Sequence, residues 1–226
     1  MNQVVLDLIT DHHELHMRWL DTLSYIENLG ARRISFLKDP LCVSLDILKH
    51  AAEESRHAYY FKKKRTDLGG PSKGKIVLLG GSVSKNYLRH LDLKILKILK
   101  TYFPNQTKED RDTMSYALTT YASEKRVGEL YSDYQEIIEK KNLKLNLRTI
   151  LAEEKQHLNE MEKKIIELNF GHVLKEKALQ IEDKLFKRFL KSIYQDSLNW
   201  VTKMLKDRGQ DHPLNKNEIL LGHIVN

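Results

Sequence analysis

Apolar residues recur at intervals of three and four along most of the chain, the spacing of amphipathic helices. The stretch from Gln3 to Phe36 predicts a first long helix. One face of that stretch carries Val5, Leu8, Leu15, Trp19, Leu23 and Ile26. Asp39-Pro40 then offers an N-cap followed by proline at the first helical position, so a second helix is predicted from there to about Thr66. Together the two helices would form a hairpin.

A glycine-rich connection follows over residues 68–84, where long helices cannot continue. Beyond it, a basic amphipathic segment predicts a helix that ends before Pro104. This segment is predicted to be a long crossover between two helical hairpins.

The second half of the chain predicts another hairpin and one more helix. Thr107 resembles the first residue of a capping box and opens a helix that reaches about Lys140. A short turn leads to the next helix, which ends near Asn169, and Gly171 separates it from a last helix at about 173–207. The predicted fold is therefore all-α: a four-helix bundle of two hairpins joined by a long crossover, with additional helices.

Length and composition limit the possible classes of protein. The 226 residues fit a single domain over residues 1–208, followed by a C-terminal tail at 209–226. A formal charge of +7 suits an acidic partner such as RNA or a carrier protein, and the single cysteine, Cys42, excludes an intramolecular disulfide. Asp7 and Asp11 interrupt any signal peptide, and no run approaches the roughly 20 apolar residues of a membrane span. A cytoplasmic location is expected.

One hexapeptide occurs twice. Residues 52–57 read AEESRH, and residues 152–157 read AEEKQH, so that the pattern AEExxH recurs after 100 positions. Each copy falls on the second helix of a predicted hairpin. A four-helix bundle with internal pseudo-twofold symmetry would have this arrangement.

The spacing within each copy suits a metal ion. Three residues along a helix correspond to about 300° of rotation and about 4.5 Å of rise, so Glu54 and His57 point to nearly the same place, as do Glu154 and His157. Both pairs lie on otherwise mainly apolar stripes and are predicted to face the core. Burying these groups without compensation would cost several kcal/mol for each charge, and metal ions provide that compensation.

A di-metal site of this kind also needs a carboxylate from each of the other two helices. Glu27 is predicted to lie level with Glu54 in the first hairpin. In the second hairpin, Glu124 lies on the less charged helix face. Glu129, however, is predicted to lie closer to Glu154 in position along the hairpin axis. Glu124 is the preferred candidate, with Glu129 as its alternative.

These residues resemble the pattern of the ferritin-like di-iron carboxylate proteins, which is Glu, Glu-x-x-His, Glu, Glu-x-x-His on four successive bundle helices. The residues that match it in order are Glu27, Glu54, His57, Glu124, Glu154 and His157. The resemblance implies two irons bridged by Glu54 and Glu154, with Glu27 and Glu124 as terminal ligands and one imidazole on each iron. Such carboxylate-rich ligands suit Fe or Mn better than zinc.

The same resemblance implies a function. The organisation of the chain looks most like the tRNA-modifying non-haem di-iron hydroxylases, which would activate O₂ and need an organic substrate and an electron donor. A ferroxidase or peroxide-consuming protein and a non-catalytic helical interaction module are the alternatives. A tRNA or an acidic carrier would bind basic segments such as residues 62–65, the helix with Lys94, Lys97 and Lys100, and residues 184–191.

Several neighbouring side chains are candidates for contacts that orient the ligands. The principal ones are His50, Arg56 and Tyr121. Further candidates are Glu53, Glu153, Tyr59 and Tyr131. His50 stands out because it precedes Glu54 by one turn on the same stripe.

Overall fold

Within residues 2–36, 41, 43–70 and 76–208, which the computed structural model describes, the secondary structure is helical and contains no strand. The all-α prediction is confirmed. The helices are α1 (Asn2–Thr10), α2 (His13–Ser35), α3 (Leu45–Asp67), α4 (Gly81–Tyr102), α5 (Lys108–Lys140), α6 (Arg148–Ile166) and α7 (Gly171–Asp207).

Two antiparallel hairpins form the bundle. Helix α2 packs along α3, and α5 packs along α6. Ser24 donates a hydrogen bond to the carbonyl of Ala58 (2.8 Å), and Lys62 and Arg65 both pair with the buried carboxylate of Asp21. Facing side chains of α3 and α6 join the hairpins, so these four helices surround one interior.

The crossover helix α4 packs against α5 and α7 rather than standing free. Its approach is fixed by backbone hydrogen bonds: the amide of Leu79 donates to Thr22 Oγ1 (2.9 Å), and the amide of Gly80 donates to Asp196 Oδ2 (3.1 Å). Helices α4 and α7 therefore cover one side of the bundle.

The N-terminal boundaries differ from those predicted. The first predicted helix is broken at Asp11-His12 into α1 and α2, although its apolar spacing continues across the break. The second hairpin helix begins at Leu45, where the Ser44 side chain accepts a hydrogen bond from the amide of Ile47. The predicted start at Asp39-Pro40 lies outside the described residues.

The later boundaries are closer to prediction. Thr107 caps α5 by accepting the amide hydrogen of Asp110 (3.1 Å), as the capping-box pattern predicts. Helix α6 ends at Ile166, three residues early, and α7 starts at Gly171 itself. A Cβ at Gly171 would lie 2.1 Å from the carbonyl oxygen of Ile165, so only glycine fits this turn.

None of the described helices combines the length and apolar character that crossing a membrane requires. The predicted tail at 209–226 lies beyond the described residues, and the single-domain organisation stays a prediction.

Candidate metal centre

Four helices direct acidic and imidazole side chains into the middle of the bundle. The seven side chains, each at most 7% exposed, are Glu27 on α2, His50, Glu54 and His57 on α3, Glu124 on α5, and Glu154 and His157 on α6. All six predicted ligand positions are therefore brought into one buried cluster, joined by His50. Carboxylates and imidazoles of this number are rarely buried unless a partner compensates them.

The cluster divides into two groups whose ligand atoms lie within 4.8 Å of one another. The first group is Glu27, Glu54, His57 and Glu154. The second group is His50, Glu54, Glu124 and His157. Each group has the size and donor types of a metal site, and the two share Glu54. The buried cluster can therefore hold a metal ion.

Reciprocal contacts between histidine and glutamate side chains join the two AEExxH motifs. His57 Nε2 lies 2.8 Å from Glu153 Oε2, and His157 Nε2 lies 2.8 Å from Glu53 Oε2. In a neutral imidazole, donation of Nε2–H to a carboxylate leaves Nδ1 with the lone pair that a metal ion can take. Nδ1 of His57 faces the interior, 2.9 Å from Glu154 Oε1. The first glutamate of each motif thus orients the histidine of the other.

Several polar atoms of the cluster are buried without a hydrogen-bond partner. They are His50 Nε2, Glu54 Oε1, His57 Nδ1, both carboxylate oxygens of Glu154, and His157 Nδ1. Buried polar groups in proteins are almost always satisfied, so a convergent set of unsatisfied acceptors needs an explanation. A cation among them would satisfy all of them together.

The electrostatics of the cluster agree with a missing positive charge. Burial, followed by the charges of Glu54 and Glu154, raises the pKa of Glu27 well above its usual range. Burial raises the pKa of Glu124 in the same way, and with the charge of Glu154 it raises the pKa of Glu54 to about 7. Burial lowers the pKa of His57, but the Glu154 carboxylate 2.9 Å from its Nδ1 and the charge of Glu27 outweigh this and raise it to about 10. Burial alone would raise the pKa of Glu154, but its contacts with Glu124, His157 and His57 outweigh burial and lower it. Protons on Glu27, Glu124 and His57 therefore balance the cluster, and a divalent cation would displace them.

Two tyrosines on α5 contact the cluster from outside. The hydroxyl of Tyr131 donates a hydrogen bond to Glu27 Oε1, and the hydroxyl of Tyr116 lies 2.8 Å from His50 Nδ1. Both side chains are almost fully buried. Tyr131 was among the candidates from sequence, whereas Tyr116 was missed because no local spacing relates it to a histidine on another helix.

The two candidates on α5 have different surroundings. Glu124 is buried in the second group of ligands. Glu129 is half exposed and pairs with Arg126 Nη1 at 2.6 Å. The burial of Glu124 agrees with its place on the less charged face of the helix. The argument for Glu129 was its position along the bundle axis relative to Glu154, and that position depended on where the turn between the two helices was placed.

The remaining candidates from sequence fall in three places. Arg56 pairs with Glu153 at 2.5 Å and so supports the carboxylate that holds His57. Tyr121 lies under Lys175 of α7, because it is rotated about 60° from Glu124 around the α5 axis. Tyr59 is exposed on the surface. The role of Tyr121 in orienting the ligands stays a prediction.

A narrow apolar cavity of about 70 Å³ adjoins the centre, between α2, α4, α5 and α7. Its inner end is formed by Glu27, Glu54 and Glu124. Its walls include Leu23, Ile26, Val127, Leu130, Phe186 and Phe189. Gly30 also lines it, and a Cβ there would lie 3.2 Å from Glu54 Oε2. The absence of a side chain at residue 30 thus keeps the cavity open onto a ligand carboxylate.

A second opening lies on the other side of the centre, between α5 and α6. This groove of about 620 Å³ reaches Glu124 and Glu154 and is flanked by charges of both signs, Glu129 and Asp133 with Lys125 and Lys155. Gly128 lines it, with no atom near the place where a Cβ would stand. The centre is therefore approached by a narrow apolar cavity on one side and by a wider groove on the other.

The first basic segment is engaged within the chain. Lys62 pairs with Asp21, Lys63 pairs with Asp67, and Lys64 donates to the carbonyl of Lys144. These contacts leave that segment less available to phosphates than its sequence suggests. Binding of a tRNA or a carrier protein stays a prediction.

In comparisons with protein-family profiles, curated proteins and solved structures, no significant match to this chain was found. The class of the protein therefore follows from fold and site alone. It is an all-α bundle with a buried cluster of histidine and glutamate side chains that can hold a metal ion.

Proposed function

We propose that the protein is a non-haem di-iron oxidoreductase of the ferritin-like kind, which uses O₂ to hydroxylate an organic substrate. The observation that carries this proposal is the convergence of buried, unsatisfied imidazole and carboxylate atoms from α2, α3, α5 and α6. Two overlapping groups of four ligands that share a carboxylate suit two ions better than one. Hard oxygen donors with few nitrogens and no thiolate favour Fe or Mn.

In this proposal, the carboxylates of Glu27, Glu54, Glu124 and Glu154 would hold the two ions together with the motif histidines His57 and His157. Two reduced irons would supply electrons to O₂. The protein holds the ligands in place before metal binding, because Glu53 and Glu153 already fix the orientation of His157 and His57. Each side chain of the cluster is at most 7% exposed, which shields the cluster from bulk water.

The apolar cavity supports an organic substrate. Its walls are mainly aliphatic and aromatic, although Arg33, Arg126 and three serine or threonine side chains also line it, and they include three of the proposed ligand carboxylates. Its volume of about 70 Å³ is smaller than the roughly 150 Å³ that holds benzene, so the cavity fits a narrow apolar part of a substrate. Hydroxylation of a C–H bond there would consume one O₂, two electrons and two protons and would release one water. The two electrons must come from an external reductant, which the proposal takes to be a redox protein.

The groove between α5 and α6 favours a second candidate, a ferroxidase. It leads from the surface to Glu124 and Glu154 and would be a path for Fe²⁺, with Glu129 and Asp133 among its lining residues beside Lys125 and Lys155. In a ferroxidase the iron itself is the substrate and leaves the centre after oxidation. In a hydroxylase the same groove would serve only to load the metal.

Oxygen uptake separates the two candidates. The full chain, loaded anaerobically with Fe²⁺ and exposed to O₂ with a chemical reductant, should retain its two irons through repeated turnovers if it is a hydroxylase. Added free Fe²⁺ should then give no sustained O₂ uptake. Continuous uptake proportional to added Fe²⁺, with release of Fe³⁺, would instead establish the ferroxidase. Failure to bind iron would refute both.

A further inference from the structure

We propose that His50 is a third nitrogen ligand of the centre, so that one metal is bound by two imidazoles and the other by one. This inference rests on the proposed di-iron function but goes beyond the symmetric ligand set that the repeated motif implies. It starts from a break in the repeat. With an offset of 100 positions, Glu54 corresponds to Glu154 and His57 to His157, whereas His50 corresponds to Ile150.

The two positions are both buried but differ in chemistry. Ile150 is buried in the apolar core, where an aliphatic side chain packs against its neighbours. His50 occupies the corresponding place, two residues before the first motif, and is only 3% exposed. An imidazole in that place loses its contacts with water, so it needs partners for both ring nitrogens.

One ring nitrogen of His50 has such a partner. Nδ1 lies 2.8 Å from the hydroxyl of Tyr116, which fixes the orientation of the ring. The ring also packs against that of His157, with centroids 3.9 Å apart and ring planes tilted by 37°. Tyr116 therefore holds His50 in the way that outer hydrogen bonds hold metal-binding imidazoles.

The other ring nitrogen, Nε2, has no hydrogen-bond partner and points into the second ligand group. It lies 3.3 Å from Glu54 Oε1 and 3.6 Å from Glu124 Oε1. A buried nitrogen that lies near two carboxylate oxygens without a hydrogen bond to either is placed as a metal ligand beside those oxygens. The Tyr116 hydroxyl and the adjacent His157 ring restrict rotation of the His50 ring.

The two metal positions are consequently unequal. The ion beside Glu27 would have the imidazole of His57 alone, while the ion beside Glu124 would have those of His50 and His157. Nitrogen and oxygen donors differ in the field that they impose on iron, so the two ions should be distinguishable spectroscopically. Glu54, which belongs to both groups, would link them.

The test counts imidazoles on iron. The full chain is loaded anaerobically with ⁵⁷Fe²⁺ and studied by X-ray absorption and Mössbauer spectroscopy. The wild type should show three imidazoles for every two irons and two quadrupole doublets of equal area. His50→Ile, which introduces the residue found at the corresponding position 150, should show two imidazoles for every two irons. Its two quadrupole doublets should become more alike, or the variant should retain only one iron.

A matched control is available in the same bundle. His16 is also buried, and its Nε2 lies 2.5 Å from the hydroxyl of Tyr134, but it belongs to neither ligand group. His16→Ile removes a buried imidazole and its tyrosine contact just as His50→Ile does. Its imidazole count on iron should equal that of the wild type.

Tyr116→Phe tests the same inference without removing the histidine. The count should stay at three imidazoles, while the affinity for the second iron falls by about tenfold or more because the ring is no longer held. A wild type that binds two irons with only two imidazoles would overturn the role of His50 and leave the proposed function intact. A wild type that binds no iron would overturn both.

Discussion

Glu53 Oε2 lies 2.8 Å from His157 Nε2, so the first glutamate of one AEExxH motif holds the histidine of the other. The reciprocal pair, Glu153 and His57, has the same distance. The two adjacent glutamates of each motif therefore have separate roles. One points into the ligand cluster, and the other crosses to the facing helix. This exchange explains why the motif contains two glutamates.

Removing either crossing glutamate should weaken metal binding. Glu53→Ala and Glu153→Ala leave an imidazole without its carboxylate, and we expect each to reduce iron affinity by about 10- to 100-fold. The affinity is measured anaerobically by competition with a chromophoric chelator. Glu139→Ala is the control, since Glu139 is a half-exposed glutamate bonded to Arg148. Equal losses in all three variants would show that the crossing contacts have no special role.

The choice between Glu124 and Glu129 can be tested directly. Glu124→Ala removes a carboxylate from the second ligand group, so the purified, iron-loaded variant should contain about one iron for each chain. Glu129→Ala removes only a surface pair with Arg126 and should contain as much iron as the wild type. Elemental analysis measures both. Iron loss in Glu129→Ala alone would reverse the assignment.

The motif and the hairpin pattern together predicted, as ligands, six of the seven residues that meet in the cluster. Glu54 and Glu154 could be found because helical geometry alone aligns each with a histidine three residues later. The Tyr116–His50 and Tyr131–Glu27 contacts could not, because they depend on how far one helix is shifted along another. Packing across the whole bundle determines that shift, so it cannot be predicted from a local sequence pattern.

The helix boundaries also divide into those set by local sequence and those set by tertiary packing. The Thr107 cap was predictable because the capping interaction is local, between Thr107 and Asp110. The break at Asp11-His12 was not, because the apolar spacing continues from α1 into α2 and only tertiary packing separates them. At α3, Asp39-Pro40 offered a stronger sequence signal than Ser44, yet the helix cap is formed by Ser44.

The apolar cavity predicts a variant that separates substrate binding from metal binding. Val127 lines the cavity, and Val127→Phe would fill much of its narrow volume. Substrate-dependent O₂ uptake should fall by at least about tenfold, while the iron content stays at the wild-type value. Val173→Phe, at an exposed position outside the cavity, should change neither. If Val127→Phe retained full turnover, the substrate would bind elsewhere.

Asp92 predicts a pH-dependent contribution to stability. Its carboxylate accepts hydrogen bonds from Arg33 (2.7 Å), Ser115 (2.8 Å) and Thr119 (3.3 Å), which join α4 to α2 and α5. Burial alone would raise the pKa of Asp92, but Arg33 and the two hydroxyls outweigh burial and lower it. Its stabilisation is therefore complete above the unfolded-state pKa of about 3.9 and is lost as the pH falls through the lower folded-state value.

Asp92→Asn should accordingly reduce the free energy of unfolding at pH 7 by about 2 kcal/mol, the range for a hydrogen bond to a charged group. The difference from the wild type should shrink as the pH is lowered below about 4. Urea unfolding of the metal-free protein over a series of pH values measures it. A difference that stayed constant down to low pH would show that the charge of Asp92 does not contribute.

The presence of two metal ions in the cluster is the central claim. A crystal of the full chain, loaded anaerobically with Fe²⁺ and measured above and below the iron absorption edge, tests it most directly. We predict two anomalous peaks about 3.5–4 Å apart, enclosed by Glu54 and Glu154, with both peaks absent in a crystal of Glu54→Ala,Glu154→Ala. A wild-type crystal with no anomalous peak in the cluster, or with the same peaks in the double variant, would contradict the claim.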